Sequence, residues 1–360
     1  MRIVKRYSIL VAMIVMSVIT PNYAYPNTQV ADLQSRIYDI FEANRQAIVK
    51  VYASKKVAAN KTILDVGSGI IVAKTGAVMT SAFITRNAEK IWVEYNGKLL
   101  DAEDIGYDPI TTVSIIKILG GEKYANLPTI KIDSSLKPAA PATLLMAISY
   151  EMGLPASPRL GMATGQNVEF GGRFLPTVHV RTNLPAPRGS IGGAVFTLDG
   201  KFAGMTIASV PEVAGSFVLP ARAVAKICED IAVCGEPVYS WFGLGANDKG
   251  KGMPHTQVEV TLVAENSPAK RAGFTIGDEI LEINSIKVSN NTELRSQTFF
   301  VRPGETASFK VKRKGKILTL SLIADRMPND IIKNAEIEME PSITQDNVQN
   351  NNIDKSKDNK

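Results

Sequence analysis

The sequence has few of the residues that hold metals or cross-link secreted domains. Its 360 residues include two cysteines and two histidines. No histidine or second cysteine pair lies near Cys228 and Cys234, so we expect no metal site and no cofactor. One straight helix would hold these two cysteines too far apart to bond. A disulfide between them therefore requires the helix to end before Cys234.

A pattern of interleaved aromatic and basic residues is also lacking. The formal net charge is +6, but apart from a basic stretch at residues 310–316 the lysines and arginines are spread along the chain. Nothing resembles a base-stacking platform, so we expect no nucleic-acid partner. The basic stretch itself is typical of a solvated pair of strands.

The only long apolar run lies at the N-terminus, where a basic start precedes residues 9–20 and Pro21 ends the run. The pattern predicts a secretory signal over residues 1–24, and hence a periplasmic or otherwise exported protein. The run is shorter than the roughly 20 apolar residues of a spanning helix. Asn22 fits a cleavage site before residue 25 poorly, so an uncleaved N-terminal anchor is the alternative.

Apolar spacing predicts an amphipathic helix over residues 28–48 and short strands from there to about residue 219. No long helical pattern interrupts the strands, which argues against a parallel α/β sheet and favours a barrel or sandwich. The apolar runs behind this prediction are residues 70–72, 91–95, 112–119, 144–148, 177–180 and 194–196.

A second unit follows the first. A helical pattern over residues 221–232 places Val224, Ile227 and Ile231 on one side, and the Gly-Glu-Pro sequence at 235–237 suits a domain boundary. We expect a first domain over 28–235 and a second over 236–326. From 327 to 360 the chain is polar with scattered single aliphatic residues, which predicts a disordered tail.

The glycine-rich stretch 182–193 resembles the nucleophile loop of trypsin-like serine proteases of the HtrA/Deg type, whose pattern ends Asn-Pro-Gly-Asn-Ser-Gly-Gly. The two align without a gap. The family's nucleophilic serine falls on Ile191, which has no group that could attack a carbonyl, and Ser190 occupies the preceding asparagine position. The loop could still offer the backbone N–H groups of Gly189 and Ile191 as an oxyanion-like site, or it could have collapsed.

The other two members of the catalytic triad are also replaced, by the same resemblance. Residues 67–84 match the segment that carries the family's histidine, and Phe83 stands at the histidine. Residues 108–117 match the segment that carries its aspartate, and Thr112 stands there. Neither side chain can take a proton from a nucleophile or balance an imidazolium charge, so the resemblance implies a degenerate member, a pseudoprotease.

Two rearrangements could rescue hydrolysis, of which one, a lysine base paired with Ser190, has no candidate in the sequence. Ser190 could pair with His179, which lies on a strand leading toward the loop, if the two come within hydrogen-bond reach. Otherwise His179 is an ordinary strand residue. The second histidine, His255, lies in a glycine- and proline-rich loop and is expected to be exposed.

Residues 264–284 closely resemble a PDZ domain of the HtrA type. The pattern predicts a short helix opened by Ser267 and ended by Gly273, then a strand over 279–283. Residues 240–245 match the family's carboxylate-binding loop, which would bind peptide through Trp241, Phe242, Gly243 and Leu244. The alternative is that both aromatic residues seal the domain junction. Phe299 and Phe300, on a second helix predicted over 293–300, would border the same groove.

The resemblance thus implies a mainly β protein, with a trypsin-like double β-barrel followed by one α+β PDZ domain. It implies an exported, inactive protein that binds peptides or protein C-termini as a scaffold, chaperone or regulator in envelope protein quality control. Homo- or hetero-oligomers, by resemblance trimers, would be expected. The alternatives are a serine endopeptidase with a rearranged site, or a purely structural envelope component.

Overall fold

In a computed structural model the structure describes residues 27–58, 61–120, 126–170, 173–250 and 257–332. The predicted signal segment, His255 and the tail beyond residue 332 lie outside these ranges. The predicted mainly β architecture, a double barrel followed by an α+β domain, is confirmed.

The chain begins with helix α1, Asn27–Asn44, which a 3-10 turn at Arg45–Ala47 extends. The helix predicted over 28–48 is therefore present, with its last residues in the tighter turn. Ile40 and Phe41 pack into the core between the barrels, whereas Val30, nearer the N-terminus, is exposed. The apolar stripe thus anchors the second half of the helix.

The first barrel is closed by six antiparallel strands in the order β1-β2-β3-β6-β5-β4. A four-residue helix, α2, Ala82–Thr85, leaves β3 directly and carries Phe83 toward one end of the barrel. The strands are β1 (Ile48–Ala58), β2 (Lys61–Ile71), β3 (Ala77–Ser81), β4 (Lys90–Tyr95), β5 (Lys98–Tyr107) and β6 (Val113–Ile118).

The second barrel repeats the design with the order β10-β11-β12-β9-β8-β7. Its strands are β7 (Leu144–Ser149), β8 (Ser157–Phe170), β9 (Arg173–Thr182), β10 (Ala194–Thr197), β11 (Phe202–Val210) and β12 (Gly215–Pro220). A buried apolar layer joins the two barrels, with Met79 and Ile115 contributed by the first and Met146 and Phe196 by the second.

Helix α3, Ala221–Cys234, closes this layer. The predicted face of Val224, Ile227 and Ile231 is buried, and burying each such side chain stabilises the fold by about 1.5–3 kcal/mol. The helix runs unbroken through Cys234, and both cysteines are free. The condition set by the sequence for a disulfide is therefore not met.

The C-terminal domain is a sheet in the order β14-β15-β16-β18-β19, with β17 paired to β16 and with two helices. Helix α4 begins after Ser267, whose side chain accepts from the Lys270 N–H, as the sequence predicts. A separate pair, β13 with β20, brings the start of the domain against its end. The bounds are β13 (Ser240–Trp241), β14 (Leu244–Lys249), β15 (Gln257–Val263), α4 (Pro268–Arg271), β16 (Glu279–Ile283), β17 (Ile286–Lys287), α5 (Asn291–Thr298), β18 (Thr306–Arg313), β19 (Lys316–Ile323) and β20 (Asp325–Arg326).

Candidate functional site

Phe83, Thr112 and Ile191 line one cleft of about 670 Å³. Phe83 lies on α2, just after β3, Thr112 directly precedes β6, and Ile191 lies in the loop before β10. The structure therefore brings together the three positions that the sequence comparison singled out.

None of these three side chains is a base, and only Thr112 carries a hydroxyl. Phe83 is 39% exposed at the cleft. The buried Thr112 hydroxyl has no hydrogen-bond partner among the described residues. Thr112 also holds a positive φ of +63°, which is a strained conformation for a β-branched residue.

The loop at residues 189–193 keeps its form through Ser68, on β2. The Ser68 hydroxyl donates to the Gly189 carbonyl at 2.7 Å, and the Ser68 N–H donates to the Ile191 carbonyl at 2.9 Å. The same hydroxyl accepts the Tyr150 N–H at 2.9 Å. The support that Ser68 gives to this loop could not be predicted from the sequence, since only the folded chain brings β2 beneath the loop.

The carbonyl groups of Gly189 and Ile191 are both bound to Ser68, whereas their N–H groups are not bound in this way. Within the described residues neither N–H donates a hydrogen bond. Gly192 makes the tight turn possible: its φ is +87°, and a Cβ there would lie 2.1 Å from the Ser68 carbonyl oxygen. The loop thus retains two free donors of the kind that can hold a carbonyl or carboxylate oxygen.

Ser190 and His179, the predicted rescue pair, do not meet. Ser190 is 3% exposed, and its hydroxyl has no partner among the described residues. His179 is buried on β9, where its Nδ1 donates to the Thr177 carbonyl at 2.8 Å. Burial lowers the pKa of His179 to about 4, so the ring is neutral at neutral pH and belongs to the barrel wall.

A buried carboxylate does lie beside Thr112, but it is occupied. Asp108 accepts the Ile110 N–H at 3.0 Å, the Thr111 hydroxyl, and the Tyr239 hydroxyl at 2.6 Å. Burial raises the pKa of Asp108. Its partner Tyr239 precedes the C-terminal domain, so this carboxyl ties the interdomain segment to the loop that carries Thr112.

The mouth of the cleft is basic. Lys55 donates to the Phe83 carbonyl at 2.7 Å and pairs with Asp65 at 2.9 Å. Lys56 and Arg188 line the same cleft, in which Asp65 is the single acidic residue among its described lining. A polypeptide reaching this cleft would meet cations and apolar walls.

A second site lies in the C-terminal domain. A groove of about 370 Å³ is lined by all four predicted peptide-binding residues, Trp241, Phe242, Gly243 and Leu244. Phe299 also lines it, whereas Phe300 lies in a different, larger cleft. The prediction that both phenylalanines border the groove is therefore wrong for Phe300. Helix α5 ends at Thr298, earlier than expected, and the two rings pack edge to face at 5.1 Å while lining different clefts.

The groove has the parts that hold a peptide end. Strand β14 is at the edge of its sheet and pairs only with β15 among the described strands, so its other side can accept an extra strand. The N–H groups of Phe242 and Gly243 donate to no described residue. The Phe242 ring packs edge-on against Phe309 at 6.2 Å, so this residue serves both the core and the groove.

Metal-binding clusters and membrane-spanning helices are both absent from the described ranges. No group of three or more histidine, cysteine, aspartate or glutamate side chains is arranged to hold a metal ion there. Nor do these ranges contain a helix with the length and apolar character needed to cross a membrane.

The sequence matches two domain families. Residues 67–205 match the trypsin-like peptidase domain and residues 242–323 match the PDZ domain. The serine endoprotease DegS of Haemophilus influenzae is 26% identical over 273 residues, which cover 73% of this chain and 78% of that protein. A probable periplasmic serine endoprotease DegP-like of Marinomonas sp. is 27% identical over 282 residues, covering 74% of this chain and 58% of that protein. The chain thus spans less than two thirds of this DegP-like relative.

Solved structures show the same fold. The HtrA-type protease AlgW with tripeptide has a TM-score of 0.66 at 22% identity, covering 81% of this chain and 97% of that one. A serine endoprotease from Yersinia pestis has a TM-score of 0.57 at 23% identity, covering 81% and 98%. The fold is therefore a trypsin-like double barrel followed by a PDZ domain, and the sequence matches support HtrA/Deg-type serine proteases with a PDZ domain as the relatives of this chain.

Proposed function

We propose that this relative of the HtrA/Deg-type serine proteases is an exported protein that binds peptides or protein C-termini through its PDZ groove without hydrolysing them. One observation carries the proposal. The three side chains that meet at the cleft, Phe83, Thr112 and Ile191, supply no base, and the Thr112 hydroxyl has no partner among the described residues that could activate it. Losing one member of a triad that acts as a unit commonly costs about 10⁴-fold or more in rate.

The PDZ groove supports the binding half of the proposal. An extended peptide would pair with the free edge of β14, and its terminal carboxylate would accept from the N–H groups of Phe242 and Gly243. The half-buried Trp241 and Leu244 would receive an apolar terminal side chain. A peptide-binding protein without hydrolysis fits a scaffold, chaperone or regulator of envelope protein quality control, acting alone or in an oligomer.

The barrel cleft can contribute to binding as well. Its two free donors, the N–H groups of Gly189 and Ile191, would hold a backbone carbonyl of a bound polypeptide. Lys56 and Arg188 would favour segments with acidic side chains. With no attacking group beside the held carbonyl, the bound chain would be retained intact.

The decisive experiment treats the purified chain with a fluorophosphonate probe and, in parallel, with casein. We expect no covalent adduct and no cleavage, because Ser190 is buried and has no base beside it. A Ser190→Ala variant is the matched control. Labelling or casein cleavage that disappears in this variant would overturn the proposal.

The binding half is tested separately, by fluorescence anisotropy with labelled peptides that end in a free carboxylate after an apolar residue. The same peptides with an amidated C-terminus are the controls. We expect the free-acid peptides alone to bind, and a Leu244→Asp change to weaken that binding. Equal binding of both peptide forms would contradict a role for the PDZ groove.

The second candidate function is serine endopeptidase activity from a rearranged site. The names of the relatives favour it, since DegS and the DegP-like proteins are called serine endoproteases. It requires a proton acceptor within hydrogen-bond reach of a hydroxyl, and the Ser190 hydroxyl has no hydrogen-bond partner among the described residues. The fluorophosphonate experiment separates the two candidates.

A further inference from the structure

A cleft of about 1130 Å³ lies between the second barrel and the PDZ domain. One wall is formed by α3 and the other by residues around β17 and α5, with Phe300 at the far end of α5. It is separate from the peptide groove, and the proposed function leaves it unused.

Arg222, on α3, is the most unusual group in this cleft. Its guanidinium carbon lies 3.7 Å from the centre of the Phe300 ring, so the planar group is stacked on the aromatic face. Among the described residues it makes no ion pair or hydrogen bond. Partial burial lowers the pKa of Arg222, as expected for a cation that has lost water without gaining an acid.

The charges around Arg222 favour an acidic ligand. Lys137 and Lys287 also line the cleft and have no ion-pair partner among the described residues. The two acidic residues of the lining are already engaged: Glu229 pairs with Arg302 at 2.8 Å, and Glu293 accepts the Ser289 N–H at 2.7 Å. The Ser289 N–H does not neutralise the charge of Glu293, so Arg222, Lys137 and Lys287 together with Glu293 leave an excess of two positive charges for a ligand to balance.

The walls also have an apolar component. Ile286 is 49% exposed at the cleft, and the Phe300 ring is half-buried beneath Arg222. Aliphatic surface next to cations suits a polypeptide that carries both carboxylates and aliphatic side chains. Nucleic acid fits less well, since a row of phosphates would leave the apolar surfaces of Ile286 and Phe300 without an apolar partner.

We propose that this cleft binds an acidic polypeptide segment in extended form, with one carboxylate held bidentately by Arg222. A strand of alternating acidic and aliphatic residues would direct its carboxylates toward the cations and its aliphatic side chains toward Ile286 and Phe300. The site goes beyond the proposed function, because it needs no free C-terminus and does not involve the PDZ groove.

The test uses the full chain and a fluorescein-labelled Glu-Ile-Glu-Ile-Glu peptide with an amidated C-terminus, so that a terminal-carboxylate site cannot bind it. Anisotropy should show binding that weakens with added salt. Arg222→Gln should weaken it about tenfold or more, as loss of a hydrogen bond between charged groups does. The control variant Arg36→Gln, on exposed α1, should bind as the unchanged chain does.

A second variant and a second peptide test the same cleft if the Arg222→Gln protein fails to fold. Lys287→Gln changes an exposed residue of the opposite wall and should weaken binding several-fold. A Gln-Ile-Gln-Ile-Gln amide should bind at least tenfold more weakly than the acidic peptide. Equal affinity of the two peptides, unchanged affinity in both variants, or tighter binding of a DNA oligonucleotide would each overturn the proposal. Binding of free-acid peptides to the PDZ groove is measured separately, so its failure would leave the result for this cleft unchanged.

Discussion

The barrel cleft and the PDZ groove share one feature and differ in what their functions would require of side chains. Both keep backbone N–H groups without described partners, at Gly189 and Ile191 in one and at Phe242 and Gly243 in the other. The barrel cleft has Phe83, Thr112 and Ile191 at the three aligned positions, whereas peptide binding in the groove would need only backbone donors, an open strand edge and apolar walls. Binding through backbone N–H groups tolerates side-chain substitution, because it requires no particular side chain. Catalysis does not tolerate such substitution, because it requires specific side chains.

The first and largest prediction asks whether the two regions are independent. Lys226 and Asp230 form a buried ion pair at 2.6 Å, and both also contact Val238 of the segment that leads to the PDZ domain. Asp230→Ala should lower the free energy of unfolding by about 3–5 kcal/mol, since it leaves a buried cation with little compensation.

The measurement is urea unfolding followed by tryptophan fluorescence, in Trp241→Phe and Trp92→Phe backgrounds that report on the barrel and the PDZ domain respectively. A Lys226→Met, Asp230→Leu double variant is the control and should cost less than the single change. Destabilisation of the barrel alone would mean that the junction does not couple the two regions.

The second prediction concerns the turn that presents the free donors of the barrel cleft. Gly192→Ala should cost about 3 kcal/mol or more, because its Cβ would lie 2.1 Å from the Ser68 carbonyl oxygen. Gly200→Ala is the matched control. Gly200 also has a positive φ, but its nearest neighbour would be 3.8 Å away, so about 1–2 kcal/mol is expected. Equal costs in thermal or urea unfolding would show that the loop relaxes freely.

The third prediction separates the barrel from the PDZ domain by pH. The pKa of His179 is about 4 in the folded chain and about 6.5 in an unfolded one. The unfolded state therefore binds the extra proton first, so this contribution is intact above pH 6.5 and is lost as the pH falls toward 4. The loss should reach about 3 kcal/mol.

Urea unfolding between pH 7 and pH 4, monitored at Trp92, measures this loss. The His179→Leu variant should lack this part of the slope while keeping the part that comes from other groups. A slope that is the same in both proteins would contradict the buried, neutral imidazole.

The smallest change in stability is expected at Thr112, the residue that aligns with the aspartate of the HtrA/Deg-type proteases. Thr112 is held at a φ of +63°, a conformation that asparagine adopts with less strain. Thr112→Asn should therefore raise the free energy of unfolding by about 1 kcal/mol, without creating activity. The control Thr62→Asn, at an exposed strand position, should be nearly neutral. A destabilised Thr112→Asn protein would indicate that the threonine methyl group packs usefully.

Much of the fold could be predicted from local pattern. The strand Glu279–Ile283 has the predicted bounds, and the Ser267 cap and the buried face of α3 follow from spacing and capping rules. The second helix of the PDZ domain begins two residues earlier than predicted, at Asn291, because Asn290 caps it through the Glu293 N–H. Propensity alone does not reveal which of several polar residues will act as the cap.

The parts of the site that pattern could not reveal involve long-range contacts between side chain and backbone. Ser68 supports the loop that contains Gly189 and Ile191, and Tyr239 reaches Asp108 across 131 positions of sequence. The pairing of Ser190 with His179, which the sequence left open only as the lesser alternative, finds no support in their hydrogen bonds for the same reason. Closeness in sequence said nothing about which wall of the barrel each residue would face.

The sequence by itself determined that Phe83, Thr112 and Ile191 bring no imidazole and no carboxylate, because a phenyl ring, a hydroxyl and a branched alkyl chain have the same chemistry wherever they lie. It also determined the order of barrel and PDZ domain, since strand and cap signals are local. Only the tertiary structure decided that Phe83, Thr112 and Ile191 meet in one cleft, and that Arg222 stacks on Phe300 between the domains. Those contacts arise from barrel closure and domain packing, which join residues far apart in the chain.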